Sequence, residues 1–406
     1  MLTAPAQEAL RESLAGEKAA SEREKALENQ PYNIKAGPVS LDFSSSLNVQ
    51  YSDNVNYAQV GAQQDFIFQP QLNTRVFWPV TDKNALNLNV GLGYAAYVAH
   101  PLYDYLFVTP DSDLSFDLFV GDFKFTFYDR FSYTENPALN GAVSGIADFG
   151  GLNNVAGLNA AWDLNKVILS AGYGHDDYLS SNSQFDYMNR ASELFFARAG
   201  FLVNRTTLAG VEATGSLNTY DLSFLNNSVG YSAGVFLTWI LSPNLQIRPR
   251  AGYVNYTFAT EGAIGRAGNP STYYFNLAVD HTVNRFMSQS LEAGREVDLG
   301  TFSDFSELLF VRWNTTWKII KDVSLGTQLF YEHGNYPPIV LLLAPGQPTY
   351  LFGDRYDRFG GAFSLGYQLT RKLATTLAYQ YTLKDSQTAF WSYRQNMLTL
   401  GLNYRF

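Results

Sequence analysis

Covalent or metal chemistry would require histidine and carboxylate side chains held together, and His175-Asp176-Asp177 is the best example of such a group in the chain. A histidine beside acids can serve as a general base in a hydrolase. However, successive side chains of a strand point to opposite faces, so this run would divide its donors between two surfaces. The chain has four His and no Cys, which excludes disulfides, thiolate metal sites and a cysteine nucleophile. We therefore expect no catalytic residue, no metal site and no cofactor.

Charged residues at alternate positions offer a different chemistry, an electrostatic field along one face of the strands. Arg248 and Arg250 are two apart, so they share a face with no acid between them. The same alternation places further basic residues on that polar face, giving Arg75, Lys124, Arg130, Arg198, Arg248, Arg250, Arg312, Lys318 and Arg358. Its acidic residues are Asp42, Glu212, Asp280, Glu292 and Glu332. Two interpretations stay open: the charges pair across neighbouring strands, or they create a transverse field that favours anions.

These residues are positioned by strands, which are predicted from apolar and polar residues that alternate with a period of two. The alternation begins at Val39, in VSLDFSSSLNVQ, and recurs to the end of the chain. About eight tight turns alternate with about nine longer loops, which predicts about 18 antiparallel strands with both termini on the short-turn side. Sixteen strands is the alternative count. The predicted strands run about 12 to 15 residues, whereas strands of soluble domains average about 5 or 6. We therefore predict an all-β fold, a transmembrane antiparallel barrel over residues 37–406.

The last residues indicate how such a barrel closes. Leu398, Leu400, Leu402, Tyr404 and Phe406 lie on one face of a strand that ends the sequence. An apolar final strand is what a barrel needs to pair with its first strand and face lipid. Apolar positions elsewhere also carry aromatic residues toward strand ends, typical of the girdles at membrane interfaces: Trp78, Tyr94, Trp162, Tyr173, Trp239, Tyr253, Trp313, Tyr331, Tyr367 and Tyr404.

The composition fits this prediction. Charged residues make up 16% of the chain and aromatic residues another 16%, while the mean hydropathy is only -0.14. The longest strongly apolar run, Ile339 to Ala344, is far shorter than the roughly 20 residues of a spanning helix. The net charge of -9 argues against a nucleic-acid partner, which usually requires a basic surface.

The N-terminal segment, residues 1–36, differs in composition from the rest. Residues 4–30 are rich in Ala, Glu, Lys and Leu, which predicts a polar helix in a periplasmic leader. A plug in the barrel lumen and a helix that docks a periplasmic partner are the alternatives. Met1 to Thr3 carries no recognisable export signal, so we infer localisation from the barrel pattern.

Two long loops could narrow the lumen, which in an 18-stranded barrel is too wide for wall side chains to fill. The segment from Asn335 to Asp354 is long and apolar, so we expect it to fold into the mouth, pack on the rim or contact another protomer. The segment from Glu135 to Asn154, rich in Gly, Ala and Asn, is the second candidate.

Both ends of the barrel region resemble bacterial outer-membrane β-barrel proteins of the porin type. The resemblance lies in Gly37-Pro38-Val39, in the run Tyr51 to Val55 and in the Tyr404-Arg405-Phe406 ending. It implies passive transport or an export role and supplies no catalytic residue. The implied partners are outer-membrane lipid, the barrel-assembly machinery through the C-terminal strand, small hydrophilic solutes and further copies of the chain. A barrel for polysaccharide export and a plugged structural barrel are the alternative functions.

Overall fold

The structure is a computed structural model that describes residues 32–259, 268–341 and 350–406. The helix predicted for residues 4–30, within the leader of residues 1–36, lies outside the described residues. None of the helices in the described ranges has the length and apolarity that a transmembrane helix requires.

A single antiparallel sheet contains all 20 strands of the described chain. The strands are β1 (Ile34–Ala36), β2 (Val39–Ser52), β3 (Asp65–Thr81), β4 (Asn84–Tyr97), β5 (Tyr105–Val108), β6 (Asp113–Val120), β7 (Phe123–Thr134), β8 (Gly151–Asp163), β9 (Val167–Ser180), β10 (Arg190–Asn204), β11 (Thr207–Tyr220), β12 (Ser228–Ser242), β13 (Leu245–Phe258), β14 (Ser271–Asn284), β15 (Met287–Leu299), β16 (Phe305–Ile320), β17 (Val323–Leu341), β18 (Tyr350–Gln368), β19 (Leu373–Ser386) and β20 (Tyr393–Arg405). Three short 3-10 helices lie in the described loops, at Pro101–Tyr103, Pro137–Leu139 and Ser183–Met188.

Closure of the sheet gives a barrel, because β2 pairs with β3 on one side and with β20 on the other. The short strands β1 and β5 lie outside the ring of consecutive hairpins, so 20 strands less these two leave 18 in the barrel. The predicted 18-stranded antiparallel barrel is confirmed, and the alternative of sixteen strands is wrong. β20 carries Leu398, Leu400, Leu402 and Tyr404 on the exposed face, followed by exposed Phe406.

Alternation along each strand separates an apolar outer face from a polar inner face. In β12, Val229, Tyr231 and Val235 are 49–57% exposed, whereas Ser228 and Ser232 are buried. In a soluble protein the apolar side chains would be the buried ones. The inverted pattern is what a barrel wall in lipid requires, since lipid solvates the outer face and water the inner one.

Aromatic residues mark the ends of the apolar outer face. Trp78, Trp162, Trp239 and Trp317 all lie near the short turns and are 37–44% exposed. Trp313, predicted to be in a girdle, lies near the middle of β16. In β12 the outer-face aromatics Tyr231 and Trp239 are eight residues apart. At about 3.4 Å per residue and about 40° of tilt, this separation spans about 21 Å, close to the ~25 Å apolar band of outer-membrane barrels.

The segment from Asn335 to Asp354 does not form the long loop predicted from its Pro and Leu residues. Strands β17 and β18 continue through most of it, with pairings from Asn335↔Arg355 to Leu341↔Tyr350 and a register shift between Tyr336 and Ile339. The apolar residues therefore extend a β-hairpin beyond its neighbours, where backbone pairing satisfies their amide groups. Only residues 342–349 remain between the strands, and they lie outside the described residues.

Candidate functional site: the constricted lumen

Ten of the charged residues assigned to the polar face form the predicted pore-lining set, and all ten lie on the inner face, opposite the exposed apolar side chains: Arg75, Lys124, Arg130, Arg198, Glu212, Arg248, Arg250, Glu292, Arg312 and Arg358. Most of their charges are paired. Arg248 lies 2.6 Å from Asp280 and Lys124 3.4 Å from Asp117. Arg75 donates to Asn89 at 3.3 Å and Glu292 accepts from Asn276 at 3.1 Å, while the Arg130 guanidinium lies 4.4 Å from the Tyr128 ring centre.

Two of these groups share one arrangement, in which a buried glutamate joins two arginines on the inner wall. In the first, Glu212 of β11 accepts from Arg250 of β13 at 3.0 Å and lies 3.7 Å from Arg198 of β10. Tyr274 also donates to Glu212, at 3.1 Å. The Arg198 guanidinium stacks 4.0 Å from the Phe236 ring centre. Arg248 and Arg250 therefore do not form a ladder of like charge, because each has its own acid.

In the second arrangement, Glu332 of β17 joins Arg312 of β16 and Arg358 of β18. Arg312 donates at 3.0 Å, and the Nη2 atom of Arg358 donates at 2.6 Å. Glu332 and Arg358 face each other directly in the sheet register. Each arginine also lies over a ring, Arg312 over Phe310 at 4.3 Å and Arg358 over Phe330 at 5.3 Å. Each triad holds two positive charges around one buried negative charge.

The loop between β7 and β8, residues 135–150, crosses the lumen and meets the second triad. Arg358 donates from Nη1 to the carbonyl oxygen of Ala138 at 2.9 Å. The ammonium group of Lys384 donates to the carbonyl oxygen of Ala142 at 2.7 Å and to the Ser144 hydroxyl at 3.0 Å. Lys384 and Ala142 are 0% and 1% exposed. The contacts therefore fix this loop to strands far from its own hairpin and hold it inside the lumen.

Gly141 explains how closely this loop approaches the triad. A Cβ atom at Gly141 would lie 2.7 Å from the Tyr356 hydroxyl and 3.3 Å from both Arg358 Nε and Glu332 Oε2. Contacts shorter than about 3.4 Å between non-bonded carbon and its neighbours are repulsive, because they lie inside the favourable separation of about 3.5–4.0 Å. A side chain at this position would therefore require the loop or the facing Tyr356, Arg358 and Glu332 side chains to shift.

Beside the loop is a cavity of about 380 Å³, lined by residues from strands β16–β20 and β2–β5, by Val55 and Tyr57 of the loop after β2, and by Asn136 and Ala138. Its charged lining consists of Arg312, Glu332 and Arg358 among the described residues. Tyr57, from the loop after β2, packs edge-on against Tyr393 with ring centres 5.4 Å apart. Burial raises the pKa of the Tyr57 hydroxyl well above its ordinary value, so this group is a neutral hydrogen-bonding partner.

His175 lies on the outer face near the long-loop end of β9. Its Nδ1 is 3.0 Å from Glu193 and its Nε2 3.2 Å from Asp177, whereas Asp176 lies on the inner face beside Arg190. No cluster of three or more potential ligands that could hold a metal ion occurs among residues 32–259, 268–341 and 350–406.

Two features of the site were not predicted from the sequence, namely Lys384 and its partner in loop 135–150. Lys384 shares the inner-face parity of Thr382 and Ser386, so alternation could have identified it as a lumen residue. Its partner in loop 135–150 could not have been identified, since a contact across 242 residues leaves no local pattern.

Comparisons with known proteins found similar solved structures at low sequence identity. No family model matches the sequence, and no curated protein matches it. Among solved structures, Pseudomonas aeruginosa OccK2 (OpdF) is 11% identical with a TM-score of 0.48, covering 91% of this chain and 97% of that one. The Pseudomonas aeruginosa outer membrane protein OpdK is 9% identical with a TM-score of 0.48, covering 90% and 99%. Acinetobacter baumannii OccAB3 is 10% identical with a TM-score of 0.47, covering 91% and 100%.

Proposed function

We propose that the protein is a porin-like channel of the bacterial outer membrane that lets small hydrophilic solutes diffuse through its lumen. The observation that carries the proposal is the closed 18-stranded ring with an apolar outer face and a polar inner face. Closed barrels and helices are the structures that satisfy every backbone amide in lipid, and a ring of this size is too wide for wall side chains to fill.

The mechanism is a size limit combined with an electrostatic bias. Loop 135–150 sets the size limit, because its contacts with Arg358 and Lys384 hold it across the lumen. The inner-face residues predicted from the sequence line the route. Their ion pairs neutralise much of the charge, and the two arginines around each buried glutamate give a weak bias that favours anions.

Single-channel conductance of the detergent-refolded protein in a planar bilayer tests this proposal. With a tenfold salt gradient, we expect steady openings and a reversal potential displaced toward the anion equilibrium potential. Protein that is folded by circular dichroism yet never conducts would contradict it and favour a plugged structural barrel. A barrel for polysaccharide export instead predicts conduction that depends on a periplasmic partner.

A further inference from the structure

We propose that the cavity beside loop 135–150 is a binding site for a polyhydroxylated solute the size of a small sugar. This inference rests on the proposed channel function, because the site lies on the route that a permeating solute would take. The cavity of about 380 Å³ is near the lower end of the ~300–1,000 Å³ range of small-molecule sites.

Side-chain amides dominate the polar lining of this cavity. Five glutamines contribute, from strands on both sides of the closing seam: Gln50, Gln69, Gln328, Gln380 and Gln395. Gln395 donates to the carbonyl oxygen of Asn54 and Gln380 donates to Thr382. Within the described ranges, the amides of the other three glutamines have no hydrogen-bond partner in the protein, so they remain available to a solute.

Amides identify the chemistry of that solute. Each glutamine offers two N–H donors and a carbonyl acceptor, and a hydroxyl group likewise both donates and accepts. A carboxylate solute would need donors alone, and an ammonium solute would need acceptors alone. A cluster of free amides is therefore matched best by several hydroxyl groups on one molecule.

The charges near the cavity do not override this match. Arg358 is occupied, since it donates to Glu332 from two nitrogens and to Ala138 from the third. Arg312 donates one bond to the same glutamate. The Glu332 carboxylate accepts three bonds from the two arginines and offsets one of their two charges, which leaves a modest positive field that neutral sugars tolerate.

Aromatic rings supply the apolar part of the site. Tyr97, Tyr105, Phe330 and Tyr393 line the same cavity. Sugar rings expose C–H faces as well as hydroxyl groups, and flat rings provide apolar surface for such faces while amides bond the hydroxyl edge. The combination of aromatic rings and bifunctional amides in one cavity points to a solute that is both ring-shaped and polyhydroxylated.

The test measures binding separately from conduction, by saturation-transfer NMR of D-glucose with the full chain refolded in detergent. Hexanoate, an anion without hydroxyl groups, is the comparison probe. We expect saturable glucose binding that weakens by about tenfold in the double variant Gln50→Leu/Gln328→Leu, since two hydrogen bonds are lost. Gln71→Leu is the matched control, because Gln71 bonds Asn73 outside the cavity.

The outcomes separate this site from the channel. Glucose binding that the double variant leaves unchanged, or hexanoate binding with no glucose binding, overturns the sugar site while bilayer conductance still supports the channel. Glucose binding with the expected loss in the double variant, from protein that never conducts, supports the site and contradicts the channel. Folding of each variant is verified by circular dichroism before binding is compared.

Discussion

Lys384 of β19 donates a 2.7 Å hydrogen bond from its ammonium group to the carbonyl oxygen of Ala142 in loop 135–150, across 242 residues of sequence. Trp391 and Tyr356 rings also face the ammonium group, at 5.8 Å and 4.7 Å. A buried charge is costly unless it is well bonded, so this contact ties the loop to the wall instead of leaving it at the mouth. Together with the bond from Arg358 to Ala138, this contact holds the loop across the lumen.

Replacing Lys384 with methionine should widen the channel. Met keeps a long unbranched side chain but removes both hydrogen bonds to the loop, and the unsatisfied Ala142 carbonyl should cost about 1–3 kcal/mol. We expect larger and noisier single-channel currents, measured in planar bilayers at fixed salt. Lys372→Met, in the exposed turn before β19, is the control and should leave conductance unchanged. Equal conductance of K384M and wild type would show that the loop does not limit the current.

Replacing Glu332 with glutamine should strengthen the preference for anions. The second triad then changes from one net positive charge to two, because Arg312 and Arg358 lose their shared carboxylate. The reversal potential in a salt gradient should move further toward anions. Breaking a buried ion pair also costs about 3–5 kcal/mol, so urea unfolding should show lower stability. Asp357→Asn is the control, because it affects the outer-face pair with His333 and should not alter selectivity. An equal shift of the reversal potential in both variants would exclude a specific effect of the triad.

Arginine substitutions at neighbouring positions of β20 should differ sharply in stability. Leu400 is near the centre of the strand, 48% exposed on the outer face, whereas Thr399 lies on the inner face. Leu400→Arg should lower the free energy of unfolding by about 2–4 kcal/mol, since it places a charge in the lipid midplane. Thr399→Arg should cost much less. Urea titration of the protein folded in lipid vesicles measures both, and similar losses would argue against a lipid-facing outer wall.

Deleting residues 2–31 tests the alternative of a lumen plug. The described strands and loop 135–150 form the constriction without that segment, so we expect unchanged single-channel conductance. A clear increase in conductance would assign the plug to the N-terminal segment. Deletion of residues 140–144 in the constriction loop is the positive comparison and should enlarge the current.

The sequence alone determined the architecture and the two faces of the wall. Each strand crosses lipid, so every second residue must be apolar, and this constraint repeats locally from Val39 to Phe406 regardless of distant contacts. The same alternation assigned Arg250, Glu212 and Arg358 to the inner face, although it could not decide between pairing and a field. Register across neighbouring strands decided that question, since it places Glu332 opposite Arg358.

Only the tertiary structure decided which of the two candidate loops contacts the inner wall. The apolar residues after Asn335 indicated an inserted loop, but backbone pairing between β17 and β18 absorbs most of that segment into strands. The polar, glycine-containing loop 135–150 enters instead, because Gly141 permits close approach and Arg358 and Lys384 bond its carbonyl groups. These contacts join residues more than 200 positions apart, so they form only when barrel closure brings the opposite walls face to face. Contacts of such long range produce no pattern in the local sequence, so the sequence could not predict them.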